Sequence, residues 1–517
     1  MSSGVPSSHS EMSANGSVSG TASRIVIGWT KLSNCAARIM YMKMNASKNA
    51  MAKFELAGAM PARAEELFAW HARPGAFFRL IPPWEDVKVS STSGPFADGF
   101  RIAMRAKILG PIGKTWTAEL FDVQPGKQFR DRQLSGPFAA WTHTHRMTPT
   151  GPNSSELHEE IDYQLPFGPL GRLFGSGLVR GKLEAMFAYR HALTRSDLTR
   201  HARFRDRPRL TVAVTGSSGL VGNPLCWFLN TGGHRVVRLL RTEPKPNRPD
   251  DGTEYRMWDP TKPLNPTLFR DVDAVIHLAG DGIADGRWTA AKKARIRDSR
   301  TIPTRHLAEA LAKCDPKPKV LLSASAVGIY GDDADAIRTE SSPAGSGFLA
   351  DTARDWEAAA RPAADAGIRV VHPRIGIVQS AAGGALAKQV PPFRSGAGAV
   401  LGHGRQWVSW IALNDLVGGL HHALMTDALH GPVNMVAPRP VTNRVYGRTL
   451  AAVLGRPYLF TLPAPLLRLG FGEMADGALL ASTRCEPTAL LASGFAFDHA
   501  ELEPALRSEL GKVTRTG

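Results

Sequence analysis

The sequence predicts a doubly wound α/β domain with a parallel sheet, preceded by a smaller α+β domain in which a helix closes an antiparallel sheet. The chain has 517 residues, which exceeds the usual size of one domain. After residue 210, short apolar runs alternate with helical stretches, as expected for a parallel sheet covered on both faces. Between residues 50 and 200, strand-like segments separated by turns precede one helix.

Composition and charge limit the classes of protein to which this chain can belong. Hydrophobic residues make up 43% of the chain and charged residues 21%, so large cores can form. The net charge is +17, but no long basic run occurs, and we expect no specific nucleic-acid partner. The four cysteines are far apart, which fits a reducing cytoplasm and argues against disulfides and structural zinc. No apolar run reaches the roughly 18 residues that a transmembrane helix needs.

The first half of the chain contains a tail and the α+β domain. Residues 1–48 are non-periodic and rich in Ser, Gly and Met, so we expect a disordered tail or a misassigned start. The domain is predicted over residues 49–200. Its elements are a strand at Phe54–Leu56, a helix from Ala62 to His71, strands at 86–91, 99–109, 115–123, 128–134, 139–148 and 156–165, and a helix from Gly177 to Thr194.

An Arg- and Pro-rich linker at 201–209 precedes the α/β domain, predicted over residues 210–430. The first apolar strand is followed by a glycine-rich turn and a helix that ends near Gly232. The predicted strands are Leu210–Val214, Arg235–Leu240, Ala274–Ala279, Val320–Ala324 and Ile368–His372. Residues 431–517 contain many Pro and Gly residues and are predicted to form a C-terminal substrate lobe.

The segment Thr215–Gly222 has the pattern T-G-x-x-G-x-x-G between a strand and a helix. The first glycine permits a tight turn, the second lets the backbone approach a pyrophosphate, and the third packs helix against strand. The helix N–H groups then face the phosphates. The segment is therefore predicted to bind a dinucleotide through Gly216, Ser218, Gly219, Leu220, Val221 and Gly222.

The end of the second strand predicts NADP as the cofactor in preference to NAD. Sites that prefer NAD place a carboxylate there, which binds the ribose 2′-hydroxyl. Here no carboxylate follows Leu240, and Arg238 and Arg241 occupy the region where a 2′-phosphate would lie. Alternation along the strand favours Arg241 as the phosphate ligand.

With His277–Gly280 after a later strand, the region from about 210 to 510 resembles the extended short-chain dehydrogenase/reductase (SDR) family, and within it an atypical epimerase-like branch. The matching stretches are Ser323–Gly331, Thr339–Glu340, Gly347–Leu349, Trp356–Glu357, Arg374–Val378, Gly383–Leu386, Gly402–Ile411 with Asp415, Asn434–Pro440, Cys485–Pro487 and Gly494–Phe495. The resemblance implies a Rossmann-type fold and a small-molecule substrate. It also implies cofactor contacts from Leu278, Ala279, Gly280, Ser323 and Arg374.

Residues of about 50–200 resemble a START-like helix-grip domain of the polyketide-cyclase and lipid-transfer (SRPBCC) superfamily. The matching stretches are Pro82–Trp84, Gly136–Trp141, His143–His145, Leu165–Gly168 and Met186–Arg190. The resemblance implies a cavity for a hydrophobic ligand, with Trp84, Phe129, Trp141 and Phe187 in its wall or in the core.

Two histidines of this domain, His143 and His145, share one face of a predicted strand. A metal pair is conceivable, but no third ligand follows at a convincing spacing, and Glu159 on a neighbouring strand is the nearest candidate. We therefore predict no metal and expect histidines that line the cavity or the surface.

Typical SDR enzymes use a Ser or Thr and a Tyr with a Lys four residues on, which move a proton as hydride is transferred. Ser325 matches the Ser position. Counted back from Glu357, the Tyr and Lys positions hold Leu349 and Ala353, which cannot transfer a proton. The resembled branch shares this departure. Ser325 is the predicted catalytic hydroxyl, and Tyr330 is either the alternative acid or a packed aromatic.

Three further groups of residues need an interpretation, and two of these groups have two. Arg374 positions cofactor and substrate, or it forms a structural ion pair with Asp415 as the candidate partner. Lys292 and Lys293 lie in an Arg- and Lys-rich helix and are expected on a solvated face. Four residues line a substrate pocket or, for the tryptophans, belong to the core: Gln406, Trp407, Ser409 and Trp410.

Two functions are compatible with these patterns. The first is an NADP-binding oxidoreductase or epimerase-like enzyme that acts on a small carbonyl or hydroxyl substrate and carries an apolar-ligand domain. The second is a non-catalytic sensor of NADP(H) and a lipid-like ligand, which the absent Tyr–Lys pair favours. DNA binding rests on net charge alone and is the weakest alternative.

Overall fold

The computed structural model describes residues 51–107, 113–166 and 168–512. The tail predicted at 1–48 lies outside these ranges. The described residues form an antiparallel-sheet domain, a parallel-sheet α/β domain and a C-terminal lobe.

The N-terminal domain is built on a seven-stranded sheet. Its strands are β1 (Ala52–Met60), β2 (Val87–Ser93), β3 (Arg101–Ala106), β4 (Lys114–Gln124), β5 (Gln128–Ser135), β6 (Ala140–Gly151) and β7 (Ser154–Gln164). They lie in the order β1-β7-β6-β5-β4-β3-β2, and every neighbouring pair is antiparallel. The alternation of side chains along β7 leaves Leu157, Glu159, Ile161 and Tyr163 buried on one face, which is the pattern of a strand with one face on a core.

Three helices belong to this domain: α1 (Ala64–Ala72), α2 (Gly75–Arg79) and α3 (Gly168–Ala202). Val179, Leu183 and Phe187 of α3 pack into the core on the sheet with Trp116 and Ile161. The helix is longer at both ends than the predicted span of 177–194. Glycines in its first turns lower the intrinsic helix propensity, which is why the sequence pattern predicted a later start. Its assignment to the helix-grip superfamily stays a prediction.

The strands of the remaining chain are β8 (Thr211–Thr215), β9 (Arg235–Leu240), β10 (Thr253–Met257), β11 (Ala274–His277), β12 (Val320–Ser323), β13 (Ser325–Ala326), β14 (Ile337–Arg338), β15 (Arg369–Ile375), β16 (Ile377–Gln379), β17 (Ala399–Leu401), β18 (Trp407–Val408), β19 (Trp410–Ala412), β20 (Gly431–Met435), β21 (Val441–Thr442), β22 (Phe460–Leu462) and β23 (Arg484–Cys485). The main sheet is parallel, in the order β10-β9-β8-β11-β12-β15, with β20 beside β15 and the short β13 continuing along β15. This order confirms the predicted Rossmann-type sheet.

The helices of this part are α4 (Gly222–Thr231), α5 (Ala290–Ala312), α6 (Phe348–Ala359), α7 (Arg361–Asp365), α8 (Gly384–Arg394), α9 (Leu413–Met425), α10 (Asn443–Leu454), α11 (Ala464–Phe471), α12 (Thr488–Ala492) and α13 (Leu502–Glu509). Short 3₁₀ helices cover Pro266–Phe269 and Val327–Tyr330, and a π-helix covers Ala475–Leu480. None of the helices in the described ranges is long and apolar enough to cross a membrane.

Both faces of the parallel sheet are covered by helices. Val212 and Val214 of β8 pack in one core with α4 and α9, whereas Ala213 packs in the opposite core with α5. All three residues are fully buried. The continuous apolar run in the sequence therefore reflects a strand that is buried on both faces.

The parallel sheet extends past the predicted boundary at residue 430. β20 pairs with β15, with Val371 opposite Gly431 and Ile375 opposite Met435. Gly431 and Pro432 at its start gave this segment the appearance of a loop. The lobe also takes α8 from before residue 430, since Leu386 and Val390 pack with Leu450 of α10 and Leu506 of α13.

The two domains share a packed interface. Phe78 of α2 stacks on Trp227 of α4, with ring centroids 5.5 Å apart. Arg79 is buried, and its guanidinium donates to Asp197 of α3 at 2.9 and 3.0 Å and to Asn414 of α9 at 2.9 Å. The predicted linker at 201–209 begins inside α3, which ends at Ala202.

Candidate functional site

The glycine loop between β8 and α4 has the geometry that its pattern predicts. Gly216 has a φ of +62°, and a Cβ there would lie 2.7 Å from the Leu278 carbonyl oxygen. A Cβ on Gly222 would lie 2.2 Å from the Gly216 carbonyl oxygen. Gly219 closes the turn, because its N–H donates to the Gly216 oxygen at 3.0 Å. Only glycine fits the first and third positions without a shift of backbone.

The surface of this loop suits a dinucleotide. Ser218 and Gly219 are exposed and Leu220 and Val221 half-buried, just before the first turn of α4. The hydroxyl of Ser217 is buried without a hydrogen-bond partner among the described residues. Exposed backbone N–H groups at a helix start and an unsatisfied hydroxyl are donors of the kind that bind phosphate.

The second cofactor segment follows β11. Leu278 and Ala279 are half-buried and Gly280 is exposed, and the Leu278 N–H donates to the Thr215 hydroxyl at 3.1 Å. His277 lies between the hydroxyls of Thr215 and Thr304, at 2.7 and 2.9 Å, and burial lowers its pKa to about 4. The neutral ring therefore fixes this segment against the glycine loop.

Arg238 and Arg241 have different environments. Arg238 is buried, and its guanidinium donates to Asp251 and Asn223 at 2.8 Å and to the Ser217 carbonyl. Its guanidinium thus holds the backbone of the glycine loop at Ser217 and is not available to a 2′-phosphate. Arg241 is exposed directly after β9. Contact of Arg241 with a 2′-phosphate stays a prediction.

Ser325 belongs to a network of charged and polar side chains. Its hydroxyl donates to Glu357 Oε1 at 2.7 Å, and Arg374 donates to the same carboxylate from Nε at 2.8 Å and from Nη2 at 3.0 Å. Ser325 and Arg374 are opposite each other in the β13–β15 pair, while Glu357 comes from α6. Burial opposes ionisation of Glu357, but Arg374 outweighs it and holds the pKa of that carboxyl below its usual value.

Tyr330 completes the network at its buried end. Its hydroxyl donates to Asn434 Oδ1 at 2.7 Å and accepts from Arg374 Nη1 at 2.9 Å. Burial raises the pKa of Tyr330 to about 12, although the Arg374 charge opposes the rise. The hydroxyl is protonated near neutral pH and held by two protein groups. Its role as the catalytic acid stays a prediction.

The residues at the predicted Tyr and Lys positions, Leu349 and Ala353, both lie on α6. Leu349, Ala353 and Glu357 are four residues apart on α6 and share one face. Ala353 packs against Tyr330, and Leu349 lies beside Gly328. Glu357 is therefore the acidic group that this face presents, one turn beyond the Lys position. The sequence analysis did not select Glu357 as a site residue. Its position four residues after Ala353, on the same helix face, was the signal that could have identified it.

The structure shows which groups Arg374, Asp415 and Lys292 contact. Arg374 pairs with Glu357, so the suggested pair with Asp415 is wrong. Asp415 binds Arg200 at 2.7 Å. Lys292 was expected on a solvated face but is only 6% exposed, with its Nζ 2.8 Å from Asp281, because its helix packs over the loop after Gly280. Contact of Arg374 with the cofactor stays a prediction.

Most of the remaining residues predicted to bind the cofactor or line a substrate pocket are buried. Ser323 is fully buried at the end of β12, and its hydroxyl has no hydrogen-bond partner among the described residues. Gln406 donates to the Leu401 and Leu479 carbonyls, Ser409 to the Thr483 carbonyl and Trp410 to the Arg439 carbonyl. Trp407 donates to Asp335 and contacts Arg484. Within the described residues, these polar atoms hold the lobe together.

The N-terminal domain encloses a largely apolar cavity of about 210 Å³. Phe129 and Trp141 line it, Phe187 belongs to the core behind it, and Trp84 packs on Tyr189. Its apolar wall includes Ile102, Met104, Trp116, Phe138, Leu183 and Met186. The predicted cavity is therefore present in the structure.

A cluster of two histidines and an aspartate lies on this wall. His143 and His145 lie on it together with Asp131 of β5, which the sequence analysis did not select. Burial would lower the pKa of His143, but Glu159 and Asp131 outweigh it and raise the pKa to about 9. Asp131 was missed because only the strand register places it opposite His143.

The residues around the glycine loop fit a nicotinamide dinucleotide. The left-handed Gly216, the close approach at Gly222 and the unsatisfied Ser217 and Ser323 hydroxyls form a cradle at the carboxyl ends of β8, β9, β11 and β12. This edge of an open α/β sheet is where such ligands bind.

Comparison with known proteins gives the family. Residues 212–436 match the model of the NAD dependent epimerase/dehydratase family, and residues 462–509 match a domain of unknown function, DUF1731. An epimerase family protein from Mycobacterium bovis is 43% identical over 296 residues, which are 57% of this chain and 96% of the relative.

Two solved structures resemble the chain. A nucleoside-diphosphate sugar epimerase from Corynebacterium glutamicum has 33% identity and a TM-score of 0.72, over 89% of this chain and 90% of its own, so the match includes the antiparallel domain. The human epimerase family protein SDR39U1, solved with NADPH, has 33% identity and a TM-score of 0.54, over 59% of this chain and 100% of its own. This chain belongs to the NAD dependent epimerase/dehydratase family of extended SDR proteins.

Proposed function

We propose that the protein is an NADP-dependent enzyme of the epimerase and reductase type that acts on a small carbonyl or hydroxyl substrate. The observation that carries this proposal is the position of the Ser325–Glu357–Arg374 network at the same sheet edge as the glycine loop. Arg241, exposed after β9, supports NADP, as does the human relative's structure with NADPH.

The residues proposed to hold the cofactor fall into three groups. Gly216, Ser218, Gly219, Leu220, Val221 and Gly222 contact the pyrophosphate, Arg241 the 2′-phosphate, and Leu278, Ala279, Gly280 and Ser323 the nicotinamide half. When bound, the nicotinamide supplies or accepts a hydride.

The chain's own contribution is a proton path from Ser325 to Glu357. As a substrate alcohol is oxidised, its hydroxyl proton passes to Ser325 Oγ while the Ser325 proton passes to Glu357, 2.7 Å away. Carbonyl reduction uses the same path in reverse. Arg374 fixes the carboxylate through two hydrogen bonds, so it positions Glu357. The relay takes the place of the absent Tyr–Lys pair.

Two assays test this proposal: NADPH oxidation with a panel of carbonyl compounds, and product analysis of nucleoside-diphosphate sugars incubated with NADP⁺, because an epimerase turns over its substrate without net consumption of the cofactor. Such sugars are included because the Corynebacterium relative is a sugar epimerase. We expect Ser325→Ala and Glu357→Gln to lower kcat by roughly 10²- to 10⁴-fold, as loss of a general acid–base group does. Ser341→Ala, at an exposed position, is the control. Absence of turnover in a wild-type protein that binds NADPH would contradict the enzyme proposal.

A second candidate function is a non-catalytic sensor that couples NADP(H) to a hydrophobic ligand. Two observations favour it: Ser325 is only 2% exposed, and the Tyr330 hydroxyl is held by Arg374 and Asn434. A physical link between the two ligand sites also exists. Pro74, Phe77 and Leu80, in and beside α2, line the N-terminal cavity.

The same helix contacts the cofactor domain. Phe78 stacks on Trp227, and the Gly75 N–H donates to Asn230 Oδ1 at 3.0 Å. Both partners lie on α4, which begins at the glycine loop. A displacement of α2 by a ligand in the cavity would therefore be transmitted to the phosphate-binding turn.

NADPH titrations with and without decanoate test the sensor proposal. Coupling requires that decanoate change the NADPH dissociation constant and that NADPH change that of decanoate by the same factor. Trp227→Leu, which removes the stacking on Phe78, should reduce this factor. If decanoate binds but leaves NADPH affinity unchanged, the sensor proposal fails while the enzyme proposal stands.

A further inference from the structure

In the histidine cluster of the N-terminal cavity, two imidazole nitrogens and a carboxylate oxygen, all atoms that can bind a metal ion, lie close together. His143 Nδ1 lies 3.2 Å and His145 Nε2 3.6 Å from Asp131 Oδ2. The centroids of the two imidazole rings are 3.8 Å apart, and one ligand atom from each of Asp131, His143 and His145 lies within 4.8 Å of the others. Asp131 and His143 are opposite each other in the β5–β6 pair, so the sheet register fixes the arrangement.

A fourth side chain, Glu159 of β7, contacts the far side of both rings. Its Oε2 lies 2.8 Å from His143 Nε2 and 2.8 Å from His145 Nδ1. His143 hydrogen-bonds Glu159 through Nε2 and directs Nδ1 toward Asp131, whereas His145 Nδ1 lies near the same Glu159 oxygen without hydrogen-bond geometry and its Nε2 faces Asp131. For His143 this is the arrangement in which an outer carboxylate orients a metal-ligating histidine and sets which nitrogen carries the proton.

We propose that His143 Nδ1, His145 Nε2 and the Asp131 carboxylate bind one divalent transition-metal ion, with Glu159 as the orienting outer carboxylate. Metal–nitrogen and metal–oxygen bonds are about 2.0–2.2 Å, so neighbouring ligand atoms are roughly 3.0–3.6 Å apart. The two distances to Asp131 agree with that spacing. Two neutral imidazoles and a carboxylate are a ligand set found for Zn²⁺ and Fe²⁺.

The same site has a place for a ligand. Three protein ligands leave at least one coordination position open. Asp131, His143 and His145 all line the cavity, so that position faces a space of about 210 Å³ whose wall is mostly apolar, with side chains such as Met104, Trp116 and Leu183. The cavity would thus take an apolar molecule whose oxygen donor, a carboxylate or an enolate, completes the metal's coordination.

The competing account is a closed set of ion pairs, in which protons on the histidines take the place of the metal. Two carboxylates on two imidazoles can satisfy one another without an ion. The accounts differ in two measurable ways. A metal site binds one ion per chain, and its spectrum responds to an oxygen ligand in the cavity.

Titration of the EDTA-treated full chain with Co²⁺, followed by visible absorption, distinguishes these accounts. We expect one Co²⁺ per chain and ligand-field bands, with affinity at least tenfold lower in Asp131→Asn and in His145→Phe. In the wild type the ring centroids of His145 and Phe129 are 4.0 Å apart, and a phenylalanine at position 145 would keep this stacking. His158→Gln is the matched control, because His158 precedes Glu159 on β7 and faces the other side of the sheet. NADPH binding by each variant reports that the chain is folded.

Three outcomes would overturn the metal site: no Co²⁺ binding by folded wild type, unchanged binding in both ligand variants, or equal loss in His158→Gln. If the variants do not fold, X-ray absorption of Zn²⁺-loaded wild type decides, since the site requires a nitrogen and oxygen shell with two imidazoles. Decanoate should then shift the Co²⁺ bands. Bands that decanoate leaves unchanged would refute the proposed oxygen ligand.

Discussion

The Arg374 guanidinium contacts two functional candidates at once: its Nη1 lies 2.9 Å from the Tyr330 hydroxyl oxygen, while its other nitrogens bind Glu357. The hydroxyl of Tyr330 is thereby kept pointing at Asn434, 2.7 Å away. An arginine that holds both partners makes Tyr330 and Glu357 parts of one rigid unit. Of the two, only Glu357 contacts the Ser325 hydroxyl.

Replacing Tyr330 with phenylalanine should destabilise the protein more than it alters cofactor binding. Loss of the hydroxyl leaves Asn434 and one Arg374 nitrogen buried without their partner, which costs about 1–3 kcal/mol. Urea unfolding measures this loss, and Tyr255→Phe at a half-exposed position is the control. A large fall in kcat with unchanged stability would instead support the catalytic role predicted for Tyr330.

The second and third glycines of the loop, Gly219 and Gly222, should respond differently to an added methyl group. Gly222→Ala places a Cβ 2.2 Å from the Gly216 carbonyl oxygen, so helix and loop must separate and both stability and NADPH affinity should fall. Gly219→Ala meets only that oxygen, at 3.2 Å, and should weaken NADPH binding at nearly unchanged stability. Thermal melts and NADPH titrations measure the two effects. Similar melts for both variants would contradict the packing role of Gly222.

Stability should fall as the pH drops from about 6.5 toward 4. His201 of α3 and His421 of α9 are buried beside Phe228, and burial, with the charge of neighbouring histidines, holds the pKa of each well below its usual value. The unfolded chain therefore binds more protons below pH 6.5, so acid favours unfolding. Each such histidine lowers the free energy of unfolding by at most about 1.4 kcal/mol for each pH unit of acidification.

The same histidines can be tested one at a time by urea unfolding at several pH values. His421→Phe, which keeps an aromatic ring between His201, Phe204 and Phe228, should reduce the dependence of unfolding free energy on pH. His430→Gln at an exposed position should leave it unchanged. A wild-type stability that is constant between pH 7 and 5 would contradict this account.

The sequence predicted most of the fold because its patterns are local. Alternation located β2 to β7, and continuous apolar runs located β8, β9, β11, β12 and β15. β10 was missed because T-E-Y-R-M is a mostly polar edge strand. β20 was missed because Gly431 and Pro432 resemble a turn, and only pairing with β15 makes them a strand.

The sites were less predictable because they depend on contacts distant in sequence. The glycine loop is a contiguous motif, and the sequence predicted its geometry. Asp131 lies beside His143 only through the strand register, and Lys292 is buried only because its helix covers the loop at Asp281. The predicted ion-pair partner of Arg374, Asp415, was wrong for the same reason. The observed partner, Glu357, lies on α6, whereas Asp415 lies on α9.

Calorimetric titration of the full chain with NADPH and with NADH, for wild type and Arg241→Ala, tests most directly whether this is an NADP site. We expect wild type to prefer NADPH by roughly 10- to 100-fold, because a hydrogen bond to a charged group contributes about 1.5–3 kcal/mol. Arg241→Ala should bind NADPH no better than NADH, whereas Lys245→Ala, at a nearby exposed position, should behave as wild type. Equal affinity for the two cofactors in wild type, or an unchanged preference in Arg241→Ala, would contradict the account.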